Sequence, residues 1–118
     1  MLSEYQDNLN RRKFLRAAFR GIVSLEFPDS GEEGGCLSQD ISEKGLCVNF
    51  ERFVKANTPI GTKFRLTPGA EPMAFEGRIA WASQVPASDR YRLGIEFTSN
   101  NEQGQRNIRE YVILNQSK

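Results

Sequence analysis

A chain of 118 residues with 38% hydrophobic and 26% charged side chains and a mean hydropathy of −0.55 is long enough for one compact domain with a core and short for two. Its net charge of +1 argues against a general nucleic-acid binder, which must neutralise many phosphates, and no apolar run approaches the roughly 18 residues that a membrane helix requires. Two cysteines and no histidine argue against a disulfide framework and against a structural zinc site, which needs more such ligands.

Residues 1–10 read as a flexible N-terminal arm with only Leu2 and Tyr5 to anchor it, and they lack the apolar centre of a secretory signal. The expected address is therefore the cytoplasm. Order is expected from Arg11. Val23, Leu25 and Phe27 alternate with Ser24 and Glu26, the period of a strand with one buried face. Pro28 ends it, and Asp29–Gly35, with three glycines and three acids, reads as a solvent loop or hairpin tip. A second strand is expected up to about Gln39, a turn over Asp40–Gly45, and a third strand where Leu46, Val48 and Phe50 alternate with Cys47 and Asn49.

Thr58-Pro59-Ile60-Gly61 reads as a turn, followed by a strand through Phe64 and Leu66 and another turn at Pro68-Gly69. Phe75, Gly77, Ile79 and Trp81 alternate with polar or small residues, with Gly77 as an expected bend or bulge and Trp81 expected in the core. Leu93, Ile95 and Phe97 mark a last strand. From Asn101 to Leu114 the period changes to three and four, as in an amphipathic helix capped by Asn101, with Gly104 as a weak point. The fold class expected is all-β with small α content: an antiparallel β-barrel of about six strands, plugged or covered by a C-terminal helix.

Charge is unevenly distributed. Arg11, Arg12, Lys13, Arg16 and Arg20 fall together without an acid, whereas Asp29–Glu51 carries six acids against Lys44 alone, so a local cationic site is expected rather than a cationic face. Arginine stays charged at any working pH, bonds phosphate or the guanine O6/N7 edge in bidentate fashion, and stacks on bases. A basic run before a strand is, however, more often simply solvated. Asp40-Ile41-Ser42-Glu43-Lys44-Gly45 forms a DxSxxG pattern. Its plain reading is a turn, with Gly45 supplying a positive φ; a rigidly held carboxylate and hydroxyl can equally meet donors on a purine edge.

An RRxxxR segment followed about two dozen residues later by DxSxxG resembles the PilZ family of cyclic di-GMP receptors. Gly77-Arg78-Ile79-Ala80-Trp81, Tyr91-Arg92-Leu93-Gly94-Ile95-Glu96-Phe97 and the final helix continue the resemblance, which spans Arg11 to Leu114 and implies one PilZ-like domain over residues 11–118. It implies that Arg12 and Arg16 are the arginines of RxxxR, that Arg11 is the frequent extra one, and that all three bind phosphate and guanine. Asp40 and Ser42 would meet a guanine edge or hold the arginines, Gly45 would keep the turn, and Gly94 would lie near the site. In such proteins ligand orders the arginine segment over the barrel surface and alters contact with a partner protein, so that motility, biofilm or polysaccharide output changes.

No cofactor or metal is expected, and no catalytic constellation is visible: there is no thiol paired with a base and no phosphate loop opening a helix. The chain is therefore not expected to be an enzyme. The expected partners are cyclic di-GMP and a protein effector, without nucleic acid or membrane insertion, in a monomer or weak dimer. The alternative is a PilZ-like protein-interaction module with weak or no nucleotide binding.

Overall fold

The computed structural model describes residues 15–116. Seven strands and a helix follow in order: β1 (Ala17–Ala18), β2 (Ile22–Phe27), β3 (Glu32–Ser42), β4 (Gly45–Phe50), β5 (Pro59–Phe64), β6 (Met73–Gln84), β7 (Tyr91–Phe97) and α1 (Glu102–Leu114). Every pairing is antiparallel. The strands run β3–β2–β5–β6–β7–β4, and β4 pairs back onto β3, closing a six-stranded barrel. Closure gives each barrel strand a neighbour on both sides. The long β3 makes closure possible: its first half pairs with β2 and its second with β4, while β1 continues the β2 side opposite Asp40 and Ile41.

Alternation decides what fills the barrel. Val23, Leu25 and Phe27 of β2, Ile60 and Phe64 of β5, Phe75 and Ile79 of β6, and Leu93, Ile95 and Phe97 of β7 all point inward and are buried. Phe75 stacks on Phe97 with centroids 4.1 Å apart, and Phe64 lies against both at 6.1 and 6.5 Å. Helix α1 adds Ile108 and Val112 to this core while packing against β1 and β3; each such burial contributes about 1.5–3 kcal/mol. The Asn101 side chain caps the helix by accepting from the Gly104 N–H at 2.9 Å, and donates to the Ala74 carbonyl at 3.1 Å. Gly104 is no weak point, because a Cβ there would stand 2.8 Å from the Phe75 ring. Its missing side chain lets the first turn of α1 approach the barrel.

The arm expected over residues 1–10 lies outside the described residues. Elsewhere, four local expectations are corrected. The acidic stretch at 29–35 is mostly strand: the tip occupies residues 28–31, with Gly31 at φ 78°, and Glu32–Gly35 pair with β2. Pro59–Gly61 belong to β5, Pro59 being its first residue, where a missing N–H is tolerated; the preceding turn falls on Asn57, at φ 72°. Asp40 and Ser42 are strand residues, the turn proper being only Glu43-Lys44 between Ser42 and its partner Gly45. Gly77 is not a bulge but a close approach, since a Cβ there would stand 2.4 Å from the Glu96 carbonyl oxygen.

Candidate functional site

Two β-bulges build the outer face that carries the site. In β3 the pairing steps from Ser38↔Val48 to Asp40↔Cys47, passing over Gln39. In β6 it steps from Ile79↔Ile95 to Trp81↔Gly94, passing over Ala80. An extra residue inverts the in–out phase of everything after it. Asp40 therefore faces outward with Ile41 buried, and Trp81, expected in the core, lies 46% exposed on the barrel surface. Because Cys47 also pairs with Gly94, the residues Asp40, Cys47, Gly94 and Trp81 form one row across β3, β4, β7 and β6.

The row lies on the floor of an open cavity of about 440 Å³ that is also lined by Arg16, Lys44, Gly45, Arg92 and Glu96. Its floor is low because two positions carry no side chain. At Gly94 a Cβ would fall 2.2 Å from the indole nitrogen of Trp81, so the indole extends over this glycine. At Gly45 a Cβ would fall 2.0 Å from the Ile95 carbonyl oxygen. Gly45 is therefore required by the closeness of β4 to β7, and its backbone is not in the positive-φ region expected from sequence.

Arg16 joins the two sequence motifs. Its Nη2 lies 2.7 Å and its Nε 2.8 Å from Asp40 Oδ1, and Nη1 makes a long 3.5 Å contact with Ser42 Oγ. The Ser42 side chain is buried, and its Oγ also accepts from the Lys44 N–H at 3.2 Å. Arg16 and Asp40 are both partly exposed, so the pair is worth only about 0–1 kcal/mol. It can be rearranged by a stronger anion at little cost. Across the cavity Arg78 binds Glu96 at 3.0 Å. Burial and the Asp40 carboxylate push the Cys47 thiol up, opposed by the charges of Arg16 and Arg92. Cys36, inside the barrel, is pushed up to about 12 by burial.

Of the residues named from sequence, Arg16, Asp40, Ser42, Gly45 and Gly94 are thus gathered at one place, with Ser42 behind the Arg16–Asp40 pair. Arg11 and Arg12 lie outside the described residues. Trp81, Arg92 and Cys47 were not anticipated, and only their membership of strands already read could have pointed to them. Helix α1 and the residues just after it reach the same place. Arg109 binds Glu43 Oε1 through Nη2 and Nε at 2.8 and 3.1 Å, Gln105 donates to the Glu43 carbonyl at 3.3 Å, and Gln116 donates to the Arg16 carbonyl at 2.6 Å.

A barrel on whose outer face Arg16 meets the residues of DxSxxG has a counterpart in sequence: the PilZ domain model matches residues 10–114. The chain belongs to the PilZ family. The PilZ domain of YcgR from Escherichia coli, solved with c-di-GMP, superposes with a TM-score of 0.69 at 12% identity, covering 89% of this chain and 91% of that one. The Bacillus subtilis inhibitor of motility MotI/DgrA gives a TM-score of 0.76 at 18% identity over 86% of this chain and 49% of that one. Apo MrkH of K. pneumonia gives 0.71 at 14% identity, over 86% and 49%. The chain thus spans about half the length of the latter two proteins. At these identities the likeness is one of fold. No curated protein is significantly similar to the chain in sequence. Among the described residues, no helix of this PilZ chain is long and apolar enough to cross a membrane.

Proposed function

We propose that this PilZ chain is a cytoplasmic receptor for cyclic di-GMP that signals through a partner protein. The observation that carries the reading is the contact of Arg16 with Asp40 and Ser42 at the rim of the cavity. It unites the two motifs that the sequence holds about two dozen residues apart. Family membership and the c-di-GMP bound to the YcgR domain support the same ligand.

In this reading the guanidinium of Arg16 exchanges part of its weak pairing with Asp40 for phosphate, to which it can make two parallel charge-assisted bonds. Arg11 and Arg12 close over the nucleotide from the arm side. Asp40 accepts from the guanine edge, Ser42 holds Arg16 in place, and Gly45 and Gly94 keep the floor free of side chains. The half-exposed Trp81 offers a ring for a base to stack on. Movement of the arginine segment reaches α1 through the Gln116 bond to the Arg16 carbonyl and the Arg109–Glu43 pair. A partner would sense it at the exposed Leu15, Ile113 and Leu114 beside that junction. MotI is an inhibitor of motility, which favours motility among the outputs over biofilm or polysaccharide.

Calorimetric titration of the purified protein with cyclic di-GMP, GTP and cyclic GMP tests the reading. Selective binding of cyclic di-GMP is expected, lost in Arg16→Ala and weakened less severely in Asp40→Ala. Absence of binding by the unaltered chain would leave a PilZ scaffold concerned only with protein contact.

A further inference from the structure

Among the described residues that line the cavity, Arg16, Lys44 and Arg92 outnumber Asp40 and Glu96. Asp40 is matched by Arg16 at 2.7 Å and Glu96 by Arg78 at 3.0 Å. Arg92, which also lines the cavity, makes no ion pair and no side-chain hydrogen bond with any described residue. It stands on β7 opposite Asn49 of β4 and Ser83 of β6, two residues from Gly94 on the same outward face. The Arg92 charge reaches the floor of the site: with that of Arg16 it opposes the rise that burial and Asp40 impose on the Cys47 thiol of β4. A cation left unmatched among the described residues of a cavity wall is a place where an anionic ligand can supply the partner.

Arg16 approaches from the β3 side of the cavity and Arg92 from β7, with β4 between them, so the two strands are separated by about 10 Å. A cyclic dinucleotide carries two phosphodiesters on opposite sides of its ring, each with one negative charge. Only one of them can lie against Arg16. We propose that Arg92 is the barrel-wall anchor for the second phosphodiester of a cyclic dinucleotide, gripping the ligand from the side opposite Arg16. This rests on the receptor reading above and assigns a further cation to that site. Arg92 belongs to a strand paired on both edges, so the barrel itself fixes its position.

The full chain and its Arg92→Ala and Arg92→Lys variants would be titrated with cyclic di-GMP, with 31P spectra of each complex and a thermal melt of each free protein. Arg92→Ala should weaken binding by about tenfold or more, as loss of a charge-assisted hydrogen bond does. Arg92→Lys should recover part of the loss by keeping the charge. Of the two phosphate resonances of the bound ligand, one should move in Arg92→Ala and the other stay, with the melting temperature unchanged. Affinity of Arg92→Ala within about twofold of the unaltered chain would overturn the assignment while leaving the receptor reading intact. So would a lysine variant as weak as the alanine one, or a displacement of both resonances together with a lowered melt. Failure of the unaltered chain to bind would remove the receptor reading and the role of Arg92 with it.

Discussion

Gly45 illustrates how a motif residue can be needed for a reason other than the one its type suggests. In a DxSxxG turn the final glycine is expected to provide a positive φ, yet only Gly31 and Gly69 among the described glycines adopt one. What forbids a side chain at Gly45 is the Ile95 carbonyl oxygen, 2.0 Å from where a Cβ would sit. Gly45→Ala should therefore force β4 away from β7 and lower stability by about 1–3 kcal/mol, as overpacking does. Gly35→Ala is the control: it lies in a strand, with ordinary φ and nothing within 4 Å of its Cβ position. Urea denaturation should give a clearly lower midpoint for Gly45→Ala and no loss for Gly35→Ala. Arg16 teaches the complementary lesson: its attachment to Asp40 is weak because both groups are partly exposed, and that weakness suits a group that must change partners.

For the strands, the informative features are the two bulges. Strict alternation from Phe75 through Ile79 would carry Trp81 into the core, and the uncounted Ala80 sends it outward. The same operation at Gln39 turns Asp40 outward and buries Ile41. Trp81 is the sole tryptophan of the chain, so the consequence can be read directly by fluorescence. Its emission should be that of a solvent-exposed indole and readily quenched by acrylamide, and saturating cyclic di-GMP should reduce the quenching by covering the ring. An emission maximum typical of a buried indole would contradict the outward position. Strand existence was legible in the side-chain pattern of β2, β4, β6 and β7, because one face of each is buried by the barrel. Their offsets were not, because a bulge depends on how two strands pair and leaves no mark in either strand alone.

Across the whole molecule, α1 ties together the parts that the ligand would touch. It buries Ile108 and Val112 in the core, pairs Arg109 with Glu43 in the DxSxxG turn, and donates from Tyr111 to the Ala18 carbonyl at 3.2 Å. If the site communicates with a partner through this helix, amide hydrogen exchange in the last turns of α1 should change when cyclic di-GMP binds. Arg109→Ala should reduce that change while lowering stability by about 1–3 kcal/mol, since it leaves the largely buried Glu43 carboxylate without its partner. Unchanged exchange in α1 on binding would place communication elsewhere. The far end of β3 is separate from this network. The acidic hairpin tip is engaged by Arg52, which binds Glu32 at 2.6 Å and lies over the Phe27 and Phe50 rings. Glu32 is eight residues along the strand from Asp40, roughly 26 Å, too far to oppose a ligand at Arg16.

The amino-acid order by itself determined the barrel class, the capped helix, and the two motifs whose residues Arg16, Asp40 and Ser42 meet in the structure, since period, turn chemistry and motif spacing are properties of single segments. Tertiary structure alone decided that Trp81 and Arg92 join those residues, that Gly45 is a matter of space, and that Glu43 belongs to α1 as much as to its own turn. Each of these depends on which residue of one strand or helix lies opposite which residue of another. Closing a barrel fixes that register for all of its strands at once.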